Sequence, residues 1–480
     1  MIPHRDARQA SPRSEDRSGA ERSGARAGAA LLSWVLLLMA AAGCEDPGSD
    51  WQPQEPNTGY AGAVMGRTVQ QRPIVVERFG NAGPVVLLMH AIHGNEVPAE
   101  QCGQRMRSWL LTHPEAYQGL QVAFVSLLNG DGYVKGTRHN VNGIDLNRNF
   151  PASNFAPSPT FGPSPASEPE TRLIVSLVQA ASPPAIVTVH APLDAINYDG
   201  PAEALAQQAS DATGIRIDQD IGIYPGSFGS YAGVDLQIPT ITLELPEAVA
   251  NRAGFENWLK VEEIALSWVG GLGAQGAVAL GDLVVDAAPR TQYETLGIGT
   301  SAGGRPLVAE RFGPESTPVL VVAGLDGSDA SVFVAERLRT LLLTRLERTP
   351  PQRGVVLVSL ANPDGAAAGG GGGAEETALI QQLAAAQGVS AVVEIAGSAA
   401  GLSAGTDGDD AAPMLQALQG AISGSFAPLA AGRPGSIGAW AAGQGLPALS
   451  VGVPAQPGAL TTAHAGELGL ALQAAVEAAP

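Results

Sequence analysis

The residues best placed to do chemistry are His93 and Glu96, in the stretch PVVLLMHAIHGNE from Pro84 to Glu96. The apolar residues Val85 to Met89 run into a polar turn, His93-Gly94-Asn95-Glu96. Such a continuous apolar run predicts a strand buried on both faces. An imidazole and a carboxylate three apart at its end can converge on one cation, and both are ordinary zinc ligands. Two more such groups stand beside short apolar runs: His190 closes the strand Ala185–Val189, and Glu244 interrupts the strand Thr240–Leu243. Between them lies a loop dense in Arg and Asn, with Arg138, Asn147 and Arg148. It reads either as a solvated surface or as an anion site, because guanidinium groups grip carboxylates in two-pronged fashion.

The elements that must position these groups follow from the pattern. RPIVVERFG and GPVVLLMH give two strands with a turn between them. Val97 to about His113 has helical spacing, with Cys102, Met106, Trp109 and Leu110 on one face. Val122 to Leu128 reads as a strand ending in the turn Asn129–Gly132. Ser167 reads as the cap of a helix running to about Ala180, with Pro169 in its first turn. Strands alternating with helices predict an α/β fold: a mixed, mostly parallel twisted sheet with helices on both faces. In such sheets ligands bind at the carboxyl ends of strands, where His93, Glu96, His190 and Glu244 all fall. His90 reads as a satisfied strand-end histidine and Cys102 as a small buried residue.

Length and charge set the outer bounds. The 480 residues allow two or three domains, and a net charge of −19 argues against nucleic acid as a partner. Six arginines from Arg5 to Arg26 precede an apolar run, Ala27–Gly43, that is short for a membrane span and suited to a secretory signal. Ala41-Ala42-Gly43-Cys44 resembles a bacterial lipobox. The expected order is a signal peptide over 1–44, a flexible tether over 45–59, and a lipid on Cys44 holding an exported protein to a membrane of the cell envelope. Cys102 then has no partner for an internal disulfide.

Taken together, the motifs resemble the zinc carboxypeptidases of the carboxypeptidase A type. HGNE, GTRHN, DLNRNFP, a strand-ending His, IYPGSFGS and TLELP occur in the family's order between about Tyr60 and Trp268. The resemblance implies one zinc per chain on His93, Glu96 and His190, with Glu244 as general base and Arg138 at the oxyanion. It implies that Asn147 and Arg148 bind a substrate carboxylate and that Tyr224 is the mobile active-site tyrosine. VHAPLDAINYDGP, SEPET and PGSFGS are closest to bacterial murein peptide amidases, which cleave between the side-chain carboxyl of D-glutamate and diaminopimelate. Tyr224 is nearer to ordinary carboxypeptidases, so that activity stands beside the amidase one. Desuccinylases and aspartoacylases share HGNE and DLNR. A non-enzymatic peptide-binding lipoprotein is the other class, but it has no need of the intact His93, Glu96, His190 and Glu244 set.

The chain also repeats itself. GRTVQQRPIVVERFG from Gly66 matches GTSAGGRPLVAERFG from Gly299, and VSLLNGDG from Val125 matches VSLANPDG from Val358, both at an offset of 233. A second alignment at an offset of 206 sets Ala396 opposite His190, and Gly452 falls opposite Glu244. Asp326 or Gly327 falls opposite His93 and Asp329 or Ala330 opposite Glu96, depending on where the gap is placed, and Asp326 and Asp329 with Asp409 and Asp410 read as solvated loop acids. The domain expectation is a catalytic domain over 60–276 and a degenerate, catalytically dead copy over 277–480. That copy is expected to pack on the first domain or hold an unknown partner.

Overall fold

A computed structural model describes residues 59–221, 224–249, 252–272, 293–314, 316–345, 353–368, 374–398, 402–407, 409–422, 427–428, 436–454 and 462–480. The chain divides into two compact units, 1–46 and 47–480, and all described residues lie in the second. The expected signal peptide, the expected lipobox at Cys44, the expected tether up to residue 58 and the glycine tract 369–373 lie outside the described residues.

The first half runs β1 (Ala61–Arg67), β2 (Pro73–Phe79), β3 (Val85–His90), α1 (Val97–Thr112), β4 (Gln121–Val125), α2 (Gly130–Lys135), α3 (Pro169–Ala181), β5 (Ile186–His190), β6 (Leu193–Asp199), α4 (Glu203–Thr213), β7 (Thr240–Pro246) and α5 (Glu256–Gly271). Its seven strands are ordered β1-β2-β4-β3-β5-β7-β6. The inner four, β4-β3-β5-β7, are parallel, and the antiparallel strands lie outside them. On β3, Val86 and Leu88 enter the core on one face while Val85, Leu87 and Met89 enter it on the other. This two-sided burial is why the run is apolar at every position.

Four local expectations are corrected. Strand β1 was not anticipated, because AGAVMGR is glycine-rich and mostly half-buried, with no clean alternation. β4 ends at Val125, and Asn129–Gly132 is not a free turn but the start of α2. The Asn129 side chain accepts from Gly132 N at 2.8 Å, which caps the helix. Glu168, not Ser167, holds the N-cap position of α3, and Ser167 Oγ instead donates to the Glu168 carboxylate at 2.9 Å. β7 is not interrupted at Glu244: it continues to Pro246, with Glu244 paired to His190 on one side and Ala195 on the other. A polar side chain at a strand's end need not break the ladder, since only the backbone makes it.

The second half runs β8 (Tyr293–Thr300), β9 (Pro306–Phe312), β10 (Val319–Ala323), α6 (Asp329–Arg345), β11 (Val355–Val358), α7 (Pro363–Ala368), α8 (Ala374–Gln387), β12 (Ala391–Ser398), β13 (Ser403–Asp407), α9 (Ala412–Ala421), β14 (Ala427–Pro428), α10 (Ile437–Gly443), β15 (Ala448–Pro454) and α11 (Thr462–Glu477). Apart from the short edge strand β14, its order β8-β9-β11-β10-β12-β15-β13 repeats the first sheet strand for strand. The bulge between Val64 and Gly66 recurs between Gly297 and Gly299. Ala396 pairs with Gly452 where His190 pairs with Glu244.

The two halves meet through reciprocal contacts. Arg72 Nε donates to Thr344 O at 2.6 Å, and its repeat mate Arg305 donates to Thr112 O at 2.7 Å. Thr295 Oγ1 donates to Gly62 O, its own mate, at 3.0 Å. Mate-to-mate reciprocity of this kind is what a two-fold contact requires. At the centre lie buried ions. Arg107 pairs with Glu77 at 2.6 Å, Glu336 at 2.7 Å and Glu310 at 3.2 Å. Arg339 pairs with Glu310 at 2.8 Å and Glu77 at 3.1 Å. Tyr60 and Tyr293 donate to Glu77 and Glu310 at 2.7 and 2.6 Å.

Candidate active site

β3 and α1 place the first two groups. The turn after β3 carries His93, and α1 begins immediately after Glu96 with a proline in its first turn. Gly94 is the point of closest approach: an added Cβ would lie 2.0 Å from the Gly132 carbonyl carbon, so this turn packs directly on α2. β5 delivers His190 at its last residue, and β7 delivers Glu244 in register beside it.

These side chains converge. His93 Nδ1 lies 2.6 Å from Glu96 Oε1, His190 Nδ1 lies 3.0 Å from Glu96 Oε2, and the two Nδ1 atoms are 3.2 Å apart. Burial alone would raise the Glu96 carboxyl, but His190 and His93 overcome it and hold the pKa at about 2. Two imidazole nitrogens and a carboxylate turned toward one point are a donor set that fits zinc. The opposite nitrogen of His93 supports this, because Nε2 lies 3.1 Å from Asp145 Oδ1. An outer carboxylate of this kind fixes the imidazole's orientation and makes it a better ligand. Asp145 also accepts from Arg138 Nε at 2.9 Å.

Glu244 is 8% exposed, and its Oε2 makes no hydrogen bond. Burial raises its pKa, with His190 opposing and Glu96 reinforcing the rise. A carboxylate with one bare oxygen beside the His–Glu–His group is suited to receive a proton.

The Arg- and Asn-rich loop closes the other side. Asn147 Oδ1 accepts from Phe228 N at 2.8 Å, and Gly226 O accepts from Phe150 N at 2.9 Å, stitching DLNRNFP to PGSFGS. Gly226 has φ +65°, and a Cβ there would sit 2.3 Å from Arg148 O, so no other residue fits without strain. The Arg148 guanidinium lies 4.2 Å from the centre of the Tyr224 ring. Such stacking holds a cation with part of its fork still free.

All eight residues singled out in the sequence, His93, Glu96, Arg138, Asn147, Arg148, His190, Tyr224 and Glu244, line one cavity of about 210 Å³. Two acids were not singled out. Asp145 sits inside the quoted DLNRNFP motif, where its carboxylate was the available signal. Asp199, at the end of β6, also lines the cavity, and burial raises its pKa to about 6. His90, Cys102 and Glu262 form the other group of potential ligands close enough to share an ion among the described residues. There His90 lies 3.2 Å from Val125 O and 3.3 Å from Glu262 Oε1, and all three residues are buried. Asp326 is committed elsewhere, accepting from Gly397 N at 2.7 Å and Ser328 N at 3.0 Å.

Residues 61–213 match the zinc carboxypeptidase family model. Murein peptide amidase A of Escherichia coli is 34% identical over 161 residues, 30% of this chain and 65% of that protein, so the chain spans just under two thirds of this relative's length. The Vibrio campbellii murein peptide amidase A is 28% identical over 216 residues, 40% of this chain and 81% of that one. Among solved structures, the murein-tripeptide amidase from Escherichia coli O157 aligns at 26% identity and a TM-score of 0.32, covering 44% of this chain and 91% of that one. Carboxypeptidase A from Helicoverpa armigera aligns at 19% identity and a TM-score of 0.37, covering 44% and 69%.

Proposed function

We propose that the zinc carboxypeptidase domain matched over residues 61–213, completed by Glu244, hydrolyses a peptide or amide bond next to a free carboxylate, in cell-wall peptides of the murein type. One observation carries the reading: eight residues scattered from His93 to Glu244 line a single cavity, with an unbonded carboxylate oxygen of Glu244 beside the His–Glu–His group.

His93 Nδ1, Glu96 and His190 Nδ1 would hold one zinc per chain. When bound, zinc supplies Lewis acidity, polarising a carbonyl and acidifying water. Glu244 accepts the proton of the attacking water and returns it to the leaving amine, a task for which its raised pKa suits it. Arg138, with Nε on Asp145 and Nη1 3.3 Å from Glu96, presents its remaining N–H groups to the oxyanion. Arg148 grips the substrate carboxylate, Asn147 braces the loop that holds Arg148, and Tyr224 covers it. Asp199 gives the cavity an acidic group besides this cation. That pairing suits a leaving residue with both a carboxylate and a distal ammonium, as diaminopimelate has. It favours the amidase over the ordinary carboxypeptidase, while the lone Tyr224 favours the reverse.

The second half is a degenerate copy without hydrolytic chemistry, since Ala396 and Gly452 stand where His190 and Glu244 do. The proposal places the protein in the cell envelope, held to its membrane by a lipid on Cys44. The test compares a tripeptide substrate with its analogue amidated at the leaving residue's carboxylate. Wild type should cut the free acid at least ~10-fold better, a loss of ~1.4 kcal/mol or more at the transition state. Equal cleavage would remove Arg148 from its role.

A further inference from the structure

The reciprocity of the seam fails around Arg337. Arg337 of α6 crosses to the first half, pairs with the Glu100 carboxylate, and donates to Tyr133 OH at 2.7 Å. Its repeat mate is Arg105, since Arg105-Met106-Arg107 aligns with Arg337-Leu338-Arg339. At that same offset of 232 the mate of Glu100 is Val332, and at 233 the mate of Tyr133 is Ala366. Arg105 has therefore lost both the carboxylate and the phenol that its twin retains.

The result is a cavity of about 170 Å³ between the halves, lined by Arg105, Val332 and Ala366. Arg105 Nε and Nη1 are shut off from solvent and make no hydrogen bond. A guanidinium edge left dry and unbonded is costly, and a carboxylate that draws the fork into the cavity relieves that cost. Trp109 and His113 are stacked at 4.6 Å and an angle of 13°, forming an aromatic wall of the same cavity. Asp329 also lines it and is the opposite charge acting most strongly on Arg105, while burial raises its own pKa against the pull of Arg105. It leaves Nε and Nη1 without a hydrogen bond.

We infer that this cavity binds a small aryl carboxylate, the carboxylate on Arg105 and the ring in the space opened by Ala366. The reference for this pose is internal: it is how Glu100 and Tyr133 occupy Arg337. The site is separate from the cavity around His93 and lies against α1, the helix that starts just after Glu96.

The test titrates the full-length protein with 4-hydroxyphenylacetate by calorimetry and thermal shift, with phenol and acetate as the two fragments. The expected result is saturable 1:1 binding and a raised Tm with the joined probe, and neither effect with either fragment at the same concentration. Arg105→Gln should remove binding. The double variant Val332→Glu/Ala366→Tyr supplies the missing groups from the chain, so it should be at least as stable as wild type and bind no probe. Absence of saturable binding by wild type up to ~10 mM, a weakness beyond ~3 kcal/mol of binding energy, overturns the inference. So does undiminished binding by the double variant, which would place the probe at the Arg148 cavity instead.

Discussion

Replacing Arg339 with Met should cost about 3–5 kcal/mol of folding stability, the usual effect of removing one partner from a buried ion pair. Arg339 Nε lies 2.8 Å from both oxygens of Glu310, and Nη2 lies 3.1 Å from Glu77 Oε2. Both carboxylates are 1% exposed. Without Arg339, Arg107 alone faces Glu77, Glu310 and Glu336, three acids against one cation. Burial already raises the Glu336 pKa against the pull of Arg107 and Arg339, and losing Arg339 raises it further. Methionine keeps most of the apolar stem, so the loss reports charge rather than packing. Denaturant unfolding at fixed zinc measures it. For domains of this size the same loss lowers Tm by roughly 6–20 °C. Adding Glu310→Gln to the variant should recover part of the loss, giving a coupling of about 0.5–3 kcal/mol. A cost under ~1 kcal/mol, or strict additivity in the cycle, would refute a cooperative buried network.

Glu244→Gln should retain zinc, measured by elemental analysis, and lose at least ~10² in kcat. Near-normal turnover would dismiss it as the base. Glu170 is fully buried and its pKa is raised by that burial from 4.5 to about 7. Between those values the native state keeps a proton the unfolded chain has lost, so stability falls as pH rises, by about 3 kcal/mol across the window. Glu170→Gln should flatten that slope in denaturant midpoints measured from pH 5 to 8, and an unchanged slope would mean another group produces it.

The strands that carry the site were legible because burial on both faces writes an unbroken apolar run, as in Val85–Met89 and Ile186–Val189. Their polar terminators then stood out as His93, Glu96, His190 and Glu244. Asp145 was quoted but given no task, since its partner His93 is 52 residues away and only the fold sets them 3.1 Å apart. The seam was harder still. Arg107 and Arg339 look in sequence like ordinary helix-surface cations, yet each is 1% exposed and paired with acids from the other half. β1 and α2 escaped for a local reason: glycine hides strand alternation in the one, and Asn-Gly-Asp-Gly reads as a turn in the other even though Asn129 is its helix cap.

The most direct test of the account is mass spectrometry of products after adding the zinc-loaded protein, starting beyond Cys44, to L-Ala-γ-D-Glu-diaminopimelate and to a plain C-terminal peptide. The account predicts release of diaminopimelate from the tripeptide, lost in Glu244→Gln. Trimming of the plain peptide alone would make the site an ordinary carboxypeptidase, and no cleavage of either with zinc bound would contradict hydrolysis at this cavity.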